Sequence, residues 1–120
     1  MKSHYLIWTS AVLLLMATAG VAAAGECAIE YIRTACPGKE AESYSKCGGK
    51  QACVQPEQTA SAQACQDAAL KACANDRLLI TKSKVVRAKF DGKAVMSASG
   101  KEDFCVDYAK RASEFDQCAK

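Results

Sequence analysis

Eight cysteines constrain this 120-residue chain more than anything else in it. They stand at Cys27, Cys36, Cys47, Cys53, Cys65, Cys73, Cys105 and Cys118, and none falls in the first 26 residues. An even count in a short chain implies a disulfide framework wherever the compartment is oxidising. The residues ahead of Cys27 supply that compartment. Lys2 and His4 form a short basic region, an apolar run extends from Tyr5 to about Ala19, and Ala22-Ala23-Ala24 offers small residues for a signal peptidase. The pattern predicts a signal peptide over 1–24 and a single disulfide-rich domain over 25–120. The apolar run is short of the ~20 residues a transmembrane helix needs. The expected location is secreted or periplasmic. Lipidation at Cys27 is not expected, because Glu26 precedes it where lipidation takes a small residue.

Cleavage after Ala24 changes the inventory. His4 and Trp8, the only histidine and the only tryptophan, leave with the signal, and all eight cysteines stay. The remaining formal charge is +2, from 15 basic and 13 acidic residues, too weak by itself to imply nucleic acid. Residues 25–120 hold 14 Leu, Ile, Val and Phe against 17 Ala. So thin an apolar inventory needs covalent help, and each bridge contributes ~2–4 kcal/mol by restricting the unfolded chain.

Helical spacing dominates the pattern. In "CAIEYIRTA", residues 27–35, Ile29 and Ile32 predict a helix that stops at Pro37-Gly38. "KEAESYSKC", residues 39–47, predicts a second short helix closed by Gly48-Gly49, the two forming a helical hairpin. A third helix is expected over 57–74, with Pro56 at its start, Ala62, Cys65, Ala69 and Cys73 on one narrow stripe, and Asn75 as a left-handed cap. The period then changes. "VVRAKF", Asp91-Gly92 and "KAVM" predict a β-hairpin, with Phe90 paired to Lys93. Val86, Ala88, Phe90 and Val95 would share one face of it, and Arg87, Lys89, Ala94 and Met96 the other. A last helix is expected from Ser99, with Glu102 completing a capping box and Phe104, Tyr108, Ala112 and Phe115 on its apolar stripe. The expected fold is therefore α+β, mainly α: a small stapled domain of three to four helices with one β-hairpin.

These elements restrict the bridges. Cys65 and Cys73 on one helix would be ~12 Å apart, beyond the ~7 Å Cα limit. The same distance argument excludes Cys27–Cys36 and Cys105–Cys118. Cys27 with Cys47 would close the open end of the first hairpin, and the third and last helices would be stapled at two levels.

Most cysteine and histidine chemistry is excluded. C-x-x-C is absent, so thiol redox and metal binding have little to build on, and neither a metal nor another cofactor is expected. Without a histidine, Ser-His-Asp and Cys-His catalysis cannot be assembled within residues 25–120. Phosphate-loop and dinucleotide fingerprints are also absent. "SYSK" at 43–46 matches one catalytic tetrad formally, but its companion motifs are missing.

One stretch invites a binding role. From Arg77 to Lys93 the basic residues are Arg77, Lys82, Lys84, Arg87, Lys89 and Lys93, against Asp91 in the turn. Lysine also protects strand edges from aggregation, and that ordinary role weighs against the functional one. The candidate binding residues are Lys82, Lys84, Arg87, Lys89 and Lys93, for an acidic protein, a lipid head group or a cell-wall polymer. The expected function is a non-enzymatic exported binding or interaction domain. The alternatives are a secreted effector, toxin or enzyme inhibitor acting through the basic hairpin, and then a thiol redox or metal-binding protein.

Overall fold

In the computed structural model, which describes residues 24–119, Cys27, Ile29, Tyr31 and Arg33 all point to one side. They occupy every second position, the period of a strand and not of a helix. Strand β1 is Gly25–Ala35, where a helix was expected. β-Branched and aromatic residues (Ile29, Tyr31, Ile32, Thr34) favour this state. Four strands, β1, β2 (Ala52–Thr59), β3 (Thr81–Phe90) and β4 (Lys93–Val95), form an antiparallel sheet in the order β2-β1-β3-β4. The longest strand is thus central, with Cys27 opposite Glu57 on one side and Phe90 on the other.

The mainly helical expectation is overturned. Strands of 11, 8, 10 and 3 residues outweigh one helix of 10 residues, α2 (Ala62–Lys71), and two of 4, α1 (Glu40–Ser43) and α3 (Arg111–Glu114). The second expected helix is only α1 followed by a 3-10 turn, Tyr44–Cys47, ended by Gly48 at φ 64°. The third begins five residues late. Residues 57–59 belong to β2, and Pro56 sits in that edge strand, where a missing N–H is tolerated. The true N-cap is Ser61, whose Oγ accepts from the Ala64 N–H at 3.1 Å.

Asn75 is not a left-handed cap, since its φ is not positive. It is buried instead, and its Nδ2 donates to the carbonyls of Thr81 and Glu114 at 2.7 and 2.9 Å. The long last helix is replaced by a 3-10 turn, Phe104–Asp107, and by α3. The Ser99–Glu102 box does not form. Ser99 bonds to Asp107, and Asp103 caps the 3-10 turn by accepting from Cys105 N–H at 2.9 Å. Asp103 Oδ1 also accepts from Val86 N–H at 3.1 Å, beyond the point where β4 ends, so it fastens this segment to the margin of the sheet.

The hairpin between β3 and β4 is present, with Phe90 opposite Lys93. Asp91 and Gly92 both have positive φ, 49° and 81°, as a twist-matched two-residue turn requires.

One face of the sheet is covered by α2 and the 3-10 turn at Phe104–Asp107. The core between them comprises Cys27, Ile29, Cys65, Ala69, Cys73, Val86, Ala88, Phe104, Cys105 and Phe115. Four of these ten are half-cystines, so sulfur fills volume that Leu and Ile would occupy elsewhere. The bridges are Cys27–Cys65, Cys36–Cys118, Cys47–Cys53 and Cys73–Cys105. The Cys27–Cys47 pairing does not occur, because β1 carries Cys27 to the far end of the sheet from Cys47. Stapling of the third and last segments at two levels fails as well. Only Cys73–Cys105 joins them, while Cys65 and Cys118 reach back to β1 and its end.

Among the described residues no helix is long and apolar enough to cross a membrane. The signal segment lies outside the described residues except for Ala24, which is exposed.

Candidate functional site

Among the described residues no helix packs over the centre of the sheet's other face. Residues opposite one another across strands share a face, so Ala28 and Glu30 of β1, Val54 and Pro56 of β2, Arg87 and Lys89 of β3 and Ala94 of β4 lie together there. All of these but Pro56 line a groove of about 490 Å³, which Met96 and Glu102 close at one side. Val54 and Met96 are 57% and 41% exposed, and they stand on opposite flanks of the groove. Arg87 crosses between them, paired to Glu30 at 3.6 Å and to Glu102 at 3.8 Å. Two acids and two bases line the groove, so it is electrically balanced.

This geometry divides the five basic residues singled out by the sequence. Arg87 and Lys89 line the open face. Lys93 is exposed at the start of β4, opposite Phe90, whose face is the covered one. Lys82 pairs with Asp116 at 3.8 Å. Lys84 faces the opposite way and is buried at 8% exposure, its Nζ donating to the carbonyls of Ala72 and Ala74 at the end of α2. The five do not form one basic surface, because successive strand residues point to opposite faces.

Lys84 belongs to a second cluster. It lies with Tyr31, Arg33, Lys46, Gln55, Lys71 and Asp76 around a recess of about 450 Å³ beside the end of α2. Arg33 is 4% exposed, stacks on the Tyr31 ring at 5.0 Å and donates from Nη1 to Cys47 Sγ at 2.9 Å. Burial lowers the Arg33 and Lys84 pKa values, and the neighbouring Arg33 and Lys46 charges lower Lys84 further, to about 8. Burial raises the Tyr31 pKa, so its hydroxyl stays protonated. Neither Arg33 nor Lys84 has an ion pair among the described residues.

Sequence reasoning missed Arg33, Tyr31, Val54, Glu30 and Glu102. The alternation Cys27-Ile29-Tyr31-Arg33 would have placed Arg33 on the covered face, had the segment been taken as a strand. Val54 had no such signal, since β2 is an edge strand exposed along nearly its whole length.

No metal-holding group of three or more His, Cys, Asp or Glu occurs among the described residues. All eight cysteines are bridged. The chain matches no family model, no curated protein and no solved structure.

Proposed function

We propose that the chain is an exported, non-catalytic binding domain that docks a partner protein on the open face of its sheet. Four disulfides fit an oxidising compartment and hold the sheet rigid, which lowers the entropic cost of association. The observation that carries the reading is the groove itself: two exposed apolar side chains, Val54 and Met96, flank a centre where Arg87 is neutralised by two carboxylates. A balanced, partly apolar patch suits a protein surface better than a polyanion, which a net positive field would attract. The basic-hairpin reading keeps only Lys89 and Lys93 as exposed cations without an ion pair among the described residues.

The test uses the oxidised protein recovered from the cell envelope, immobilised beside a Val54→Asp/Met96→Asp variant of equal thermal midpoint. A discrete protein retained by the wild type and lost from the variant is the expected result. Equal retention, or none by either, overturns the docking face. Recovery of a chain that begins elsewhere than Gly25, or that carries free thiols, overturns the export reading.

A further inference from the structure

We propose that the recess between Arg33 of β1, Lys84 of β3 and the C-terminal end of α2 is a binding site for a tetrahedral oxyanion, a phosphate or sulfate group. It lies on the covered side of the sheet, away from the docking groove, and does not depend on it.

The recess is unbalanced in charge. Four cations, Arg33, Lys46, Lys71 and Lys84, line the recess against one carboxylate, Asp76. That carboxylate is 77% exposed and sits 3.5 Å from Lys46 at the rim; it makes its ion pair there, and it reaches Arg33 and Lys84 only through a weaker, longer-range attraction. Lysine and arginine are almost never fully buried unless paired, because desolvating an ion costs several kcal/mol. Lys84 has a partial structural explanation. Its ammonium meets the Ala72 and Ala74 carbonyls, where the helix dipole favours a cation. Arg33 has no comparable explanation. Among the described residues its guanidinium makes one hydrogen bond, to a disulfide sulfur, a weak acceptor, and most of its five donors are left unused.

The rest of the lining matches an oxyanion. The Tyr31 hydroxyl and the Gln55 amide can donate, and Tyr31 fixes the guanidinium plane from one face. A guanidinium fork fits two oxygens of a phosphate or sulfate, and ammonium groups supply charge to the others. Four positive charges from separate elements exceed what a single carboxylate would balance, whereas a dianion fits. Bound there, it would supply the counter-charge that Arg33 and Lys84 lack.

The experiment titrates the oxidised full-length exported protein with inorganic phosphate, and separately with sulfate, at constant ionic strength against sodium chloride. Amide and side-chain NMR resonances of Tyr31, Arg33 and Lys84 are followed. Saturable shifts confined to the recess, absent with chloride, are expected. Lys71→Glu, an exposed change that spares the fold, should weaken binding by about five- to tenfold. Arg33→Gln should abolish it. A second arm uses phosphatidylcholine vesicles with and without phosphatidylglycerol. Cosedimentation with the anionic vesicles, lost in Lys71→Glu, would make the source a lipid head group, and phosphate shifts without cosedimentation a free or soluble ion. Shifts that fail to saturate, or that chloride reproduces, or that Lys71→Glu leaves unchanged, overturn the site.

Discussion

Cys73 and Cys105 are joined in the centre of the core, 32 residues apart in sequence, where the end of α2 meets the 3-10 turn that begins at Phe104. Both are essentially without solvent contact, and Ala69, Val86, Phe104 and Phe115 share their cluster. The bridge is therefore packing as well as crosslink.

The crosslinks should differ in strength by the length of chain they close. Cys36–Cys118 spans 82 residues and Cys47–Cys53 only 6. On chain entropy alone, removing the first pair by Cys→Ala costs about 4–5 kcal/mol and removing the second about 2–3 kcal/mol. Cys73→Ala/Cys105→Ala should equal or exceed the long-loop loss, because it also leaves a void beside Phe104. Denaturant midpoints of the three double variants test the ranking. Were Cys47–Cys53 the most costly to lose, loop length would not govern stability here.

The hairpin was legible because Asp91-Gly92 is a local signal: two residues that accept positive φ, between strand-like runs. The large error was β1. Ile29 and Ile32 stand three apart, as in a helix, yet they lie on opposite faces of a strand. The positions that settle the period, Cys27 and Arg33, are a half-cystine and a buried cation, which carry no apolar signal. β2 was illegible because it is exposed on both faces and has no pattern to read. At Ser99 a sound local rule lost to tertiary bonds, since Asp103 and Asp107 captured the donors a helix would have used. Of the four cations in the oxyanion recess only Lys84 stood out in sequence, and Arg33 is brought to it only by pairing of β1 with β3.

Gly25 is predicted to be intolerant of any side chain. It is buried against the hairpin turn, and an added Cβ would collide with the Phe90 ring and lie 2.6 Å from Asp91 Oδ2. Next to it Asp91 Oδ1 accepts from Glu26 N–H at 2.9 Å, and Asp91 N–H donates to the Glu26 carbonyl at 2.9 Å. Gly25→Val must displace Phe90 or break this double clasp, at about 1–3 kcal/mol. Phe90→Ala should relieve the clash, so the double mutant should lose less than the sum of the two single losses. Additive losses in denaturant titrations would refute the contact.

Asn75 and Glu114 predict a loss of stability in acid. Glu114 Oε1 accepts from Asn75 N–H at 2.9 Å and from the Tyr108 hydroxyl at 2.8 Å, and these bonds, the Asn75 one foremost, hold the carboxyl below its ordinary 4.5. A depressed carboxyl stabilises the fold above the unfolded value, and the contribution disappears as pH falls through the folded one. Thermal midpoints should decline between about pH 5 and 3. Glu114→Gln retains an acceptor oxygen without the charge, so its decline should be shallower. Asn75→Ala leaves the Thr81 and Glu114 carbonyls without their amide donor and should cost about 2–4 kcal/mol at neutral pH.

Lys84 predicts a second rise of stability with pH, at the alkaline end. In the folded protein burial and the nearby Arg33 and Lys46 charges bring its pKa to about 8, with Asp76 and Glu114 opposing weakly, whereas the unfolded chain holds that proton up to about 10.5. Between these values the unfolded state binds more protons, so stability rises with pH through the window. The rise attributable to Lys84 is on the order of 1–3 kcal/mol. Lys84→Met keeps the stem and removes the titration. The difference between wild type and variant should therefore grow from about pH 8 and level off near 10.5, with tyrosine ionisation common to both. Inorganic phosphate in the recess would hold the proton on Lys84 and move that rise to higher pH. Parallel curves for the two proteins would show that Lys84 titrates as it does in water, and that the recess holds no unbalanced charge for an oxyanion to meet.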